Sequence, residues 1–145
     1  MAITTALCTS FKVEILKGVH NFTATSGNTF KIALYDSDAT LGASTTAFST
    51  SEEITNTSGT AYTSGGATLT SVTPVASSTT AVCDFSDVSY SSASFTANGA
   101  LIYNSSASNV AVCAIAFGSN KTATNGTFTI QFPTADATNA IIRLA

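Results

Sequence analysis

The chain has 145 residues, a formal net charge of −3 and three cysteines. A single domain of this length buries roughly 68–70% of its unfolded surface, enough to fold without a metal or disulfide staple. Charged residues make up only 9%, and the five cations (Lys12, Lys17, Lys31, Lys121 and Arg143) are scattered, which excludes the clustered basic surface that direct nucleic-acid binding needs.

Ser and Thr together supply about one-third of the residues. A surface of small neutral side chains suits close contact with neighbouring subunits better than the life of a lone monomer, which relies on mixed charge for solubility. No segment approaches the roughly 18 apolar residues of a membrane span. The first eight residues lack the cationic region of a signal peptide.

In chain order, the first element is a short helix over residues 10–18. Ser10 is its expected N-cap, Phe11 and Ile15 share a face, and Gly18 is its expected stop. Too short to stand alone, it must dock on something. Residues 29–36 follow as a strand, with Phe30, Ile32 and Leu34 on one face and Lys31, Ala33 and Tyr35 on the other. Asp36-Ser37-Asp38 and Leu41-Gly42 supply turn chemistry. Residues 43–49 read as a weak extended segment and residues 52–59 as a polar loop. Strands are expected over 59–63 and 67–75, around the turn Ser64-Gly65-Gly66, with Pro74 marking an edge or bend.

Residues 81–90 alternate until a phase shift near Ser86-Asp87 that suggests a bulge. Residues 94–104 contain Asn98-Gly99, which fits either a tight hairpin or a bulge in one continuous strand. Residues 110–117 are apolar on both faces, as in a central, doubly covered strand. A polar loop over 119–125 is expected next, then a strand over 127–132 and a closing segment over 140–144. Many short strands with frequent turns imply an all-β chain: a single β-sandwich or jelly-roll-like domain with a short N-terminal helix. The expected division is an arm and helix over 1–22 and a β-sandwich domain over 23–145. Its expected interior comprises Phe30, Ile32, Leu34, Val112, Ile115, Phe128 and Ile130.

Chemistry-bearing side chains are few. His20 is the only histidine, placed where a helix C-terminus favours such a residue as a structural partner. Asp36-Ser37-Asp38 resembles the start of a Ca²⁺ loop but lacks the later Gly and Glu of an EF-hand, so an Asx-type turn is the plainer reading. Glu52-Glu53 reads as part of a solvated loop, and Asp84 and Asp87 as bulge or turn caps. No Gly-x-Ser-x-Gly elbow accompanies the many serines, and Ser64-Gly65-Gly66 lies between strands rather than before a helix. Cys8, Cys83 and Cys113 lack metal-ligand spacing and read as buried thiols, with a Cys83–Cys113 bridge left open. There is no Trp, which weakens a lectin reading, although Tyr62, Tyr90 and Tyr103 remain. No enzyme activity, cofactor or metal is expected.

Several segments resemble a family of small virion structural proteins of tailed bacteriophages, of the capsid decoration, cement or head-fibre kind. Residues 10–12 through 18–22 are similar to the family's opening helix, and residues 29–35 to its first strong strand, followed by the turn at 39–42. Residues 59–69 resemble its Gly-Tyr-Thr-x-Gly-Gly hallmark, with Ala61 where the pattern has Gly. Residues 84–90 and 99–104 complete the likeness, which covers the chain from about Ser10 onward. The resemblance implies a non-enzymatic protein that binds and stabilises the major capsid protein shell. It implies a place on the capsid exterior after assembly in the host cytoplasm, with a homo-oligomer, trimer favoured, and neither direct nucleic acid nor membrane as partner. The helix, through Phe11, Ile15 and Leu16, is the candidate oligomer or capsid interface. The alternative is a tail- or fibre-associated module that binds a host receptor or glycan.

Overall fold

The computed structural model describes residues 2–54 and 62–145. The expected strand over 59–63 and loop over 52–59 fall largely outside them. Among the described residues the elements are β1 (Ala6–Leu7), α1 (Thr9–Leu16), β2 (Phe30–Tyr35), β3 (Ala67–Thr68), β4 (Ser71–Ser77), β5 (Thr80–Phe85), β6 (Val88–Asn104), β7 (Val110–Ile130) and β8 (Ile142–Leu144). They form two antiparallel sheets, one of five strands ordered β1-β7-β6-β2-β3 and one of three ordered β4-β5-β8. The chain is all-β with one short N-terminal helix, as the patterning predicts.

The alternation over 30–35 becomes a central strand with both faces covered. Phe30, Ile32 and Leu34 lie opposite Asn104, Ile102 and Ala100 of β6, while Ala33 and Tyr35 lie opposite Leu101 and Gly99. All of these are buried. On the first face Phe30 stacks on Phe22 at 4.3 Å and meets Phe85 of the small sheet at 6.0 Å. On the second, Phe48 stacks on Tyr103 at 4.6 Å, and the Tyr35 hydroxyl donates to Ser49 O at 2.7 Å. The segment between β2 and β3 thus covers one face, and the small sheet and helix cover the other.

Several elements depart from the expected pattern, each for a local reason. The phase shift at Ser86-Asp87 is a crossing between sheets, not a bulge: Ser86 N donates to Thr70 O and Asp87 Oδ1 accepts from Phe132 N. Residues 67–75 are likewise divided between the two sheets. Asn98-Gly99 sits at a register shift within one continuous strand, so the bulge prevails over the hairpin. A Cβ on Gly99 would lie 2.6 Å from Ile115 O, and that close approach is what the glycine permits. The expected polar loop over 119–125 is part of β7, because its Thr and Asn side chains pair across to β6. Thr96 and Thr122 meet at 2.8 Å, and Asn98 Nδ2 donates to Asn120 Oδ1 at 2.9 Å. Residues 43–49 form no strand and contribute only the Ala47–Val110 bridge. Pro74 does stand on an edge strand, within a register shift between Val72 and Val75.

Helix α1 begins two residues earlier than its expected cap implies. Cys8, not Ser10, holds the N-cap position and makes no side-chain cap. Its backbone N still donates to Val112 O, so the chain leaves the sheet and enters the helix at once. Gly18 ends the helix as expected. At φ +72 it donates to Ile15 O while Val19 N donates to Glu14 O, the paired bonds of a Schellman stop.

Of the seven expected interior residues, Phe30, Ile32, Leu34 and Val112 are fully buried, whereas Ile115, Phe128 and Ile130 are half-buried at the core's margin. The reason is length. Strands β6 and β7 run 17 and 21 residues, and β2 and β1 pair with only part of each. Leu101→Ala should therefore cost about 2–5 kcal/mol, and Ile115→Ala a smaller loss of about 1–2 kcal/mol, measured by urea unfolding. Equal losses would show that the region around Ile115 is closed in solution.

Candidate functional site

His20 is the first residue to test for chemistry. Its side chain is fully buried and its Nε2 lies 2.6 Å from Glu14 Oε2. Its Nδ1 lies 3.1 Å from Asn104 Nδ2, which also donates to Asn28 Oδ1, while Asn104 Oδ1 accepts from Ser106 N. Because the Asn104 oxygen is engaged elsewhere, its amide nitrogen faces the ring and donates to Nδ1. Nε2 then carries the proton and donates to Glu14. Phe11 packs edge-on against the ring at 4.8 Å. Both ring nitrogens are committed to the fold, so His20 ties α1 to β6, and neither is free to act on a substrate.

A second buried network centres on Glu53, which the sequence reading placed on a solvated loop. It is 4% exposed. Its carboxylate accepts from the Tyr62 hydroxyl at 2.6 Å, Gly65 N at 2.6 Å and the Ser64 hydroxyl at 2.9 Å. The Tyr62 oxygen in turn accepts from Leu34 N at 3.0 Å. A buried carboxylate is tolerable when donors surround it. Here it clamps the turn at Gly65-Gly66, where a Cβ on Gly66 would collide with Ile32 O.

Asp36, Asp38 and Glu52 bring their carboxylate oxygens within 4.8 Å of one another at the surface. Asp36 Oδ1 accepts from Asp38 N, the expected Asx turn. Glu52 joins them because Asp36 N donates to Glu52 O, a proximity that sequence separation hides. Hard oxygen donors of this kind are what Ca²⁺ takes, but exposed acidic groups commonly gather without an ion.

The cysteines are free thiols, so Cys83 and Cys113 are not bridged. Burial pushes Cys8 and Cys83 from 9.0 up to about 11, with Glu14 adding to the rise at Cys8. Burial, with Cys8 nearby, pushes Cys113 up to about 12. Since the thiolate is the reactive form, none is poised as a nucleophile. All four tyrosines are buried, so Tyr62, Tyr90 and Tyr103 offer no platform for a sugar.

A polar cavity of about 450 Å³ opens beside Asp38 and Glu52, lined largely by Ser and Thr, and apolar surface is open elsewhere. A groove of about 540 Å³ runs beside β7, with walls that include Ile115, Phe117, Phe128, Ile130, Phe132 and Ile141. A smaller cavity of about 360 Å³ shares Ile115 and Ile141 and reaches Leu7 and Arg143. The three residues singled out on the helix are placed differently from one another. Phe11 lies in the core against His20 and Phe22, Ile15 packs at its margin, and Leu16 projects into solvent, 88% exposed. Val13 is also exposed on this helix, an apolar residue off the expected inner face that carries no signal in sequence.

Comparison with protein-family models, curated proteins and solved structures finds no match to this chain.

The buried acids make stability sensitive to alkali. Burial pushes Tyr90 from 10.0 up to about 12, and Tyr35 and Tyr62 also upward. The folded chain therefore keeps thiol and phenol protons that the unfolded chain releases from about pH 9 upward. Stability is full below that pH and falls as pH rises through the folded values. Thermal midpoints recorded under reductant from about pH 8 to about pH 11 should drop steadily over the upper part of the range. A flat profile would show that these groups are more solvated than the packing implies.

Proposed function

We propose that this chain is a non-enzymatic bacteriophage virion structural protein, a capsid cement or decoration protein that binds the major capsid protein shell from outside. The observation that supports this reading most is the combination of a β body whose buried polar groups are internally bonded with partly open apolar surface. His20 and Glu53 spend their polar atoms on internal hydrogen bonds. By contrast the groove beside β7 leaves Phe117 and Ile130 half-buried, and the outer face of α1 leaves Leu16 exposed. Exposed apolar patches of this kind mark surfaces for association. The resemblance to virion structural proteins supplies the partner, and the low charge suits packing among many neighbours. Copies act as a small homo-oligomer, trimer favoured, and symmetry multiplies a modest contact over the particle.

A receptor- or glycan-binding module on a tail or fibre is the competing reading, and the burial of every tyrosine favours it less. Copy number in purified virions separates the two: hundreds per particle are expected for cement, as against a few tens on the order of a tail or fibre. Particles lacking the protein should release DNA at lower temperature or after milder osmotic shock than complete ones. Depleted particles that are equally robust but fail to adsorb to host cells would replace this reading with the receptor-binding one. The isolated protein should show no midpoint shift with nucleotides or Ca²⁺, since a ligand of the folded state must raise its stability. A rise with Ca²⁺ alone would give Asp36, Asp38 and Glu52 a ligand role.

A further inference from the structure

Helix α1 is held at every point except its outer face. Its start is pinned by the hydrogen bond from Cys8 N to Val112 O, its end is closed by the two hydrogen bonds of the Gly18 stop, and its inner side is held by buried Phe11 and by Glu14 at His20. The exposure of Leu16 is thus a property of a fixed surface, not of a frayed end. At about 100° per residue, Phe11, Glu14 and Ile15 point inward. The outer half then reads in angular order Lys12, Leu16, Thr9, Val13, Lys17, with polar Thr9 in the first turn. All five side chains are exposed, with Val13 at 50%. The result is an apolar ridge with one lysine along each side. In a chain with only five cations, two flank this one ridge.

We propose that the outer face of α1 is a docking ridge for another protein subunit, whose complementary surface is a groove with an apolar floor and acidic walls. The inference rests on the assembly reading given above and names the surface and the chemistry of its partner. Leu16 and Val13 fill the floor, and Lys12 and Lys17 meet carboxylates on either side. An apolar centre with a polar, solvent-accessible rim is the general anatomy of a protein interface. The fixed helix enters without an ordering cost. Two lysines of the same sign make a second copy docking through the same ridge unfavourable, because like charges would face one another.

The test uses the full chain and phage particles lacking it, with bound protein measured against salt. Leu16→Asp should weaken binding at least about tenfold. The double variant Lys12→Glu, Lys17→Glu should also weaken binding and reverse its salt dependence. Both variants should keep the wild-type thermal midpoint, because the altered side chains are exposed. If wild-type protein binds the particles and both variants bind equally well with unchanged salt dependence, the ridge is not the docking surface and this inference fails alone. If wild-type protein does not bind the particles, the assembly reading fails and the inference falls with it. Two other results would also overturn it: binding to phosphatidylglycerol vesicles that is abolished by Leu16→Asp, pointing to a membrane, or concentration-dependent self-association lost in that variant, pointing to a second copy.

Discussion

The pairing of β6 with β7 is the constraint on which the other elements depend. Strand β2 pairs with the buried half of β6, β1 pairs with β7 at Ala114 and Cys113, and the entry to α1 hangs from Val112. The small sheet is joined to the same ribbon through Asp87, whose carboxylate accepts from Phe132 N just beyond the end of β7. An antiparallel ladder of this length is bent by its bulges at positions such as Ser92 and Asn125, which adopt positive φ. Bulges raise the local twist of a strand and re-aim its side chains. One consequence is that a single ribbon supplies the centre of the core at Leu101 and Val112 and a half-open wall at Phe117 and Phe128.

Polar side chains in this molecule are used to tie distant segments together. His20 joins the end of α1 to β6, and Glu53 joins the loop after β2 to the turn before β3. Both do so in surroundings where an unpaired group would be costly. The tyrosines follow the same logic, with hydroxyls of Tyr35, Tyr62 and Tyr103 bonded to backbone or to Glu53. The outer surface is correspondingly rich in Ser and Thr, with scattered charges such as Lys12, Lys17, Asp38 and Glu52 and a few apolar residues.

Much of the fold was legible because strand periodicity acts locally. Phe30, Ile32 and Leu34 against Lys31, Ala33 and Tyr35 is a period-2 pattern that needs no tertiary information. Gly18 announced a helix end because few other residues adopt that backbone without strain. The polar run 119–125 reads as a loop because its composition is that of a loop. Only pairing with β6, through Thr122 and Asn120, turns it into strand.

The sequence by itself determined the class of the molecule: all-β, with one short helix and low charge. Tertiary structure alone decided which residues meet. It brought Glu52 to Asp36 and Asp38, buried Glu53 under three donors, and placed Phe11 inside while leaving Leu16 outside. The physical reason is range. Propensity and alternation are set by neighbours along the chain, whereas burial and hydrogen-bond partners are set by segments that arrive from tens of residues away, as when Asn104 reaches His20 across the core.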